Sequence, residues 1–232
     1  MSIKQREKAW EIFPYPCIGQ FQFIDPCLPR SPLYPTILSR LQDGASLLDL
    51  GCCFAQDIRK LVQDGAPDSN LYGIEIVAEF ISLGYDLFLD KGRLGAHFAQ
   101  GDVFEEKGAL VDLQGKMDII HVGLFLHLFD LERQIEACKV LVRTLKPVKG
   151  VLIVGQQVGA AEPFNLPLGN GRKMYKHNEE SFAKMWKEVG DITGTEWKVN
   201  VRLGDGLSIG QTESKWFDPT TVRLVFEIER TK

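Results

Sequence analysis

The stretch SLLDLGCCFAQDIRKL, residues 46–61, changes its hydrophobic period partway along, and that change decides the fold. Ser46 to Leu50 is an apolar run too short for a helix, and it ends at Gly51. From Ala55 to Asp64 the residues Ile58, Leu61 and Val62 recur on one helical stripe, and Gly65 supplies a C-terminal stop. A buried strand that turns through glycine into an amphipathic helix is the repeating unit of an open α/β sheet.

Downstream the alternation continues. Asn70 to Ile76 reads as strand and Val77 to Leu89 as helix, and His97 to Gln100 is a short strand before Gly101 and Asp102. Met117 to Val122 is a buried strand, and Asp130 is placed to cap a helix carrying Leu131, Ile135, Cys138, Leu141 and Leu145. Pro147 and Gly150 punctuate the chain before a strand over Val151 to Val154. Strands alternating with helices imply parallel pairing through right-handed crossovers, and their continuous apolar character fits a sheet covered on both faces. Asn178 then caps a helix with Phe182, Met185, Trp186 and Val189 inward and Gly190 at its end; Trp186 and Trp197 are expected in the core. Two late strands, Glu196 to Leu203 and Thr221 to Glu229, follow directly on one another as a hairpin. The expectation is a seven-stranded, mostly parallel α/β sheet of Rossmann-like type with an antiparallel C-terminal strand and helices on both faces.

Residues 1–44 differ from this pattern. Between Phe13 and Pro35 lie six prolines, at 14, 16, 26, 29, 32 and 35, interleaved with Tyr15, Phe21, Phe23 and Tyr34. Prolines at that density forbid a long helix or a central strand. The segment reads as an irregular arm, or lid, over a core spanning 45–232, the whole 1–232 forming one domain. Its aromatics either line an apolar pocket or merely pack.

The net charge of −4 and the absence of a long basic run argue against nucleic acid as a partner. Apolar runs are too short to span a membrane, and Met1 to Lys8 lacks a secretory core. Five scattered cysteines, two of them adjacent, fit reduced thiols in a cytoplasmic protein. No Cys/His cluster shows zinc-ligand spacing, so no metal is expected. A small-molecule substrate is the remaining partner class, and a homodimer is left open.

Ligands of open α/β sheets bind at the carboxyl ends of the strands. Gly51 allows a sharp turn and close approach, and the helix behind it offers unpaired N–H groups to an anion. The dinucleotide pattern Gly-x-Gly-x-x-Gly would place glycines at 53 and 56, where Cys53 and Gln56 stand, which weakens an NAD(P) oxidoreductase reading. Glu75 at the second strand end can accept both hydroxyls of a ribose, or cap the next helix. Asp102 at the third can accept an adenine amino group, or again cap a helix.

Three such features at successive strand ends resemble the class I S-adenosylmethionine-dependent methyltransferases over roughly residues 40–230. The runs LLDLGCCFAQDIRKL, MDIIHVGLFLHLF and SFAKMWKEVGDITGTEWKV are similar to a fungal family within that class. Its members are small-molecule methyltransferases of polyketide and meroterpenoid biosynthesis, some of which esterify a carboxylate. The resemblance implies S-adenosylmethionine as cofactor, contacts at Asp49, Gly51, Glu75, Ile76, Asp102 and Val103, and His121 and Val122 on the pocket floor. In that family glycine is usual where Ala55 stands and arginine where Gln156 stands, so a binding protein that has lost activity is the non-catalytic alternative. His127, just past the fourth strand, is the candidate catalytic residue, either as a base or as a group that orients the acceptor; otherwise it is a wall residue. His177 beside the Asn178 cap is a second candidate for substrate contact, or else only part of the helix start.

Overall fold

The computed structural model describes residues 2–168, 171–204 and 221–232. The first strand, β1 (Leu47–Leu50), is buried along its whole length. Parallel to it on either side run β2 (Leu71–Glu75) and β4 (Ile119–Gly123). β3 (His97–Gln100) extends the sheet beyond β2, and β5 (Leu152–Ala160) extends it beyond β4, both parallel. The late strands β8 (Trp197–Gly204) and β9 (Thr221–Arg230) complete the order β3-β2-β1-β4-β5-β9-β8, and β9 runs antiparallel to both β5 and β8. The expected sheet and its closing strand are therefore both present. The direct connection expected between these last strands, residues 205–220, lies outside the described residues.

Alternation along the strands splits the core into two layers. Leu48, Leu50, Ile120, Val122 and Ile153 point to one face and pack with Cys138 and Leu141 of α7 (Leu131–Thr144) and Phe182, Trp186 and Val189 of α8 (Glu179–Thr193). Leu47, Ile119, Leu152 and Val154 point to the other, against Ile37 and Leu41 of α3 (Tyr34–Gln42) and Ile58 and Leu61 of α4 (Gln56–Gln63). Both expected caps form. Asp130 accepts the Arg133 N–H at 2.9 Å, and Asn178 forms a capping box with Ser181. Trp186 is fully buried, and Trp197 packs against the same cluster.

The arm is more regular than its prolines imply. It opens with α1 (Ser2–Ile12) and continues through the single turn α2 (Pro16–Gly19) and two 3₁₀ turns, Gln22–Ile24 and Leu28–Arg30. Pro35 sits in the first turn of α3, where a missing N–H costs nothing. α1 packs on α5 (Ala78–Phe88), and Phe23, Phe54 and Phe80 form a chain of rings 4.6 and 5.9 Å apart joining arm, turn and helix. All three rings are buried, a contribution of roughly 1.5–3 kcal/mol each. After β5 comes a hairpin of β6 (Phe164–Pro167) and β7 (Lys173–Lys176), preceded in the chain by the short α6 (Ala109–Asp112) before β4. No helix among the described residues is long and apolar enough to cross a membrane.

Candidate active site

The turn after β1 is wound in an unusual way. Gly51, Cys53 and Ala55 all have positive φ, +72°, +53° and +54°, so every second residue is left-handed. Only the first is glycine; each of the others carries a strain of roughly 1–2 kcal/mol. The winding lets Gly51 and Cys52 donate their N–H groups to the Ile74 carbonyl at 2.8 and 3.2 Å, fastening the turn to β2. The Glu75 carboxylate completes the tie. Oε2 accepts the Cys53 N–H at 2.9 Å and Oε1 accepts the Val77 N–H at 3.0 Å. Burial pushes the Glu75 carboxyl up from its ordinary value, and these N–H donors pull it part of the way back.

The third tip joins the same corner. Gly101 donates to the Glu75 carbonyl at 3.1 Å and the Gln100 amide to the Ile76 carbonyl at 3.0 Å. Asp102 folds its Oδ1 back to accept the Phe104 N–H at 3.0 Å, leaving its second oxygen outside that bond. Ile76 is 49% exposed, an apolar side chain standing at a strand tip, whereas Val103 and Val122 are buried in the core and offer only backbone to a ligand. A Cβ on Gly51 would sit 2.9 Å from the Phe125 ring, so the fourth strand's exit closes on the turn as well. Gly51, Glu75, Ile76 and Asp102 thus converge.

Asp49 and His121 lie on neighbouring strands and pair through Asp49 Oδ1 and His121 Nδ1 at 2.8 Å, turned towards α4 and the arm. Burial pushes the imidazole down, but Cys27 and then the Asp49 carboxylate beside it prevail and hold it above its ordinary value. The other ring nitrogen meets Cys27 of the arm. Sequence reasoning missed this partner. The arm's Tyr15, one of the aromatics expected to line a pocket or pack, has its hydroxyl raised by burial and then by the nearby Glu75 charge.

His127 lies in a 3₁₀ turn, Leu126–Leu128, packed against β5 and β7. Burial, and then the Lys176 charge, push its pKa down to about 3, so it is neutral at pH 7 and a weak base. Its Nδ1 is buried without a partner, as are both amide atoms of Gln157 on β5 and the Nε2 of His177. His177 Nδ1 bonds Ser181 Oγ at 2.9 Å, which ties the residue to the start of α8. Unsatisfied buried polar atoms are uncommon in folded proteins.

The donor set suits an adenosine. Glu75 is held by two backbone bonds yet keeps lone pairs on both oxygens for ribose hydroxyls, Ile76 offers an apolar surface, and Asp102 has an acceptor oxygen beyond it. The left-handed turn itself leaves no room for a β-carbon at Gly51, which would meet the Phe125 ring.

Comparison with known proteins gives the family. A family model, the meroterpenoid methyltransferase N-terminal domain, matches residues 3–24. The chain is 46% identical over 229 residues to the O-methyltransferase atr3 of Stereocaulon alpinum, covering 97% of this chain and 65% of that protein. It is 40% identical to the O-methyltransferase phiE of a fungal species (strain ATCC 74256), covering 97% of this chain and 80% of that protein. Its fold matches the 1,6-didemethyltoxoflavin-N1-methyltransferase of Burkholderia thailandensis, solved with S-adenosylhomocysteine. The TM-score is 0.66 at 12% identity, over 98% of this chain and 87% of the other. The chain belongs to this family of fungal O-methyltransferases.

Proposed function

We propose that the protein transfers a methyl group to an oxygen of an apolar small molecule of secondary metabolism, with a carboxylate as the favoured acceptor. Residues Gly51, Glu75, Ile76 and Asp102 hold the adenosine, Asp49 and His121 stand behind the turn, and Val103 and Val122 line the floor through their backbone. The arm over 1–44 serves as the lid on the core at 45–232. S-adenosylmethionine supplies an electrophilic sulfonium methyl. The chain's own task is to align the acceptor oxygen and exclude water, positioning that can be worth about 7–11 kcal/mol.

The observation that carries the choice of acceptor is the state of His127. A phenol with pKa about 10 needs a base, whereas a carboxylic acid with pKa about 4 is already ionised at neutral pH. His127, held down to about 3, is a poor base, but its neutral ring can orient an acceptor. A carboxylate meets that surrounding better than a phenol does. The five cysteines, all free thiols, suit a reducing cytoplasmic setting.

The test is transfer of labelled methyl from S-adenosylmethionine to a panel of aromatic acids and matched phenols lacking the carboxyl group. Base-stable incorporation into the phenols alone would overturn the carboxylate assignment. Cofactor binding without transfer to any compound would favour a protein that keeps the site and has lost the reaction.

A further inference from the structure

Three side chains from three separate elements meet between the arm, α4 and β4. Cys27 Sγ lies 3.3 Å from His121 Nε2 and 3.8 Å from Asp57 Oδ2. One ligand atom from each residue lies within 4.8 Å of the other two. Zinc binds sulfur at about 2.3 Å and nitrogen or oxygen at about 2.0–2.1 Å, so tetrahedral angles set sulfur about 3.5 Å from either neighbour. The two separations straddle that value.

The groups behind these atoms are those that orient metal ligands. His121 Nδ1 is backed by the Asp49 carboxylate at 2.8 Å and Nε2 is turned to Cys27, the arrangement in which a metal ion displaces the Nε2 proton. Asp57 is fixed by its other oxygen, which accepts the Leu28 N–H at 2.7 Å. Asp57 Oδ2 faces the Cys27 thiol and takes, besides, only a long 3.3 Å bond from the Gln56 amide. A dication would bind this oxygen, the imidazole nitrogen and the sulfur together, and a thiolate with one carboxylate neutralises its charge. Cys27 and His121 also line a cavity of about 290 Å³ with Gln156, Arg30 and Arg202. That cavity leaves room for a water or a ligand oxygen in a fourth position.

We propose that Cys27, Asp57 and His121 bind one divalent metal ion of the zinc class, clamping the arm to α4 and β4, with the fourth position open to the cavity. The clamp stands independently of the methyl-transfer reading. Nothing in the sequence marks it, because Cys27 lies 30 residues from Asp57 and 94 from His121.

The full chain, stripped of metal by a chelator, is titrated with Co²⁺ and then with Zn²⁺ and followed by absorption. The expected result is one Co²⁺ per chain, with the visible bands of tetrahedral cobalt and a thiolate-to-cobalt charge-transfer band, both removed by Zn²⁺. Cys27→Ser preserves size and a hydroxyl donor; it should abolish the charge-transfer band and weaken binding by at least about 100-fold, beyond the loss typical of an outer-shell partner. Asp57→Asn keeps an acceptor for the Leu28 N–H and should weaken Co²⁺ binding while retaining the charge-transfer band at saturation. Thermal melting checks that both variants fold. Absence of stoichiometric Co²⁺ in the unmutated chain, or a charge-transfer band unchanged in Cys27→Ser, overturns the proposal.

Discussion

Glu75→Gln removes one oxygen and the charge from the carboxylate that ties the tips together, with almost no change in shape. The native carboxylate accepts the Cys53 and Val77 N–H groups at 2.9 and 3.0 Å, one on each oxygen. Glutamine can satisfy only one of them, and its NH₂ then confronts the other donor. A hydrogen bond to a charged acceptor is worth about 1.5–3 kcal/mol. Part of that loss is offset, because a neutral amide avoids the burial that already raises the Glu75 pKa. The net cost to folding is about 1–2 kcal/mol, small enough for a folded variant to be studied. The cofactor should suffer more. If both ribose hydroxyls donate to Glu75, losing one charge-assisted bond weakens binding by about 1.5–3 kcal/mol, roughly 10–150-fold. Titration calorimetry with S-adenosylhomocysteine reads this directly, with a urea melt alongside. Glu136→Gln, at an exposed ion pair on α7, serves as the control and should leave affinity unchanged. A folded Glu75→Gln protein that binds within about twofold of the unmutated chain would refute the ribose clamp.

Other expectations concern residues outside that corner. The native His127 stays neutral down to about pH 3, whereas the unfolded chain takes up a proton at about pH 6.5, so this group costs stability as the pH falls between those values. The cost is about 1.4 kcal/mol per pH unit, or about 2 kcal/mol at pH 5. Denaturant melts of His127→Gln should lose that component; parallel stability curves for variant and parent would contradict the buried neutral imidazole. In turnover with a carboxylate acceptor, the same variant should lose less than about 100-fold in rate, since no proton has to be removed. Asn178→Ala removes the cap of α8 and should lower stability by about 1 kcal/mol without touching cofactor affinity, as read by urea midpoint and calorimetry.

Much of the sheet was readable because its signals are local. Continuous apolar runs marked β1, β2 and β4, and Asp130 and Asn178 announced their helices by sitting one residue ahead of them. β5 was harder. Its reading stopped at Val154, because Gly155 and Gly159 suggest a break, yet the strand continues to Ala160. Both glycines are there for space. A Cβ at 155 would run into the Val122 carbonyl, and one at 159 would come within 2.7 Å of the His177 carbonyl. The β6–β7 hairpin escaped because its strands are four residues long, half-exposed and ended by Pro167. α3 escaped because Pro35 looked like a breaker.

The site divides the same way. Gly51, Glu75 and Asp102 follow from their positions at strand ends, and the structure draws those ends together. The left-handed conformation of Cys53 and Ala55 carries no sequence mark, since neither is glycine. The pairing of Asp49 with His121, and of His121 with Cys27, spans 72 and 94 residues and is created by strand order and by the path of the arm. Contacts of that separation do not show in periodicity or spacing.

The most direct test of the account is a crystal structure of the full chain with S-adenosylhomocysteine. The ribose hydroxyls should lie within hydrogen-bond distance of the two Glu75 oxygens, with the adenine between Ile76 and Asp102. A nucleoside bound away from the ends of β1, β2 and β3, or turned so that Glu75 faces no hydroxyl, would contradict it.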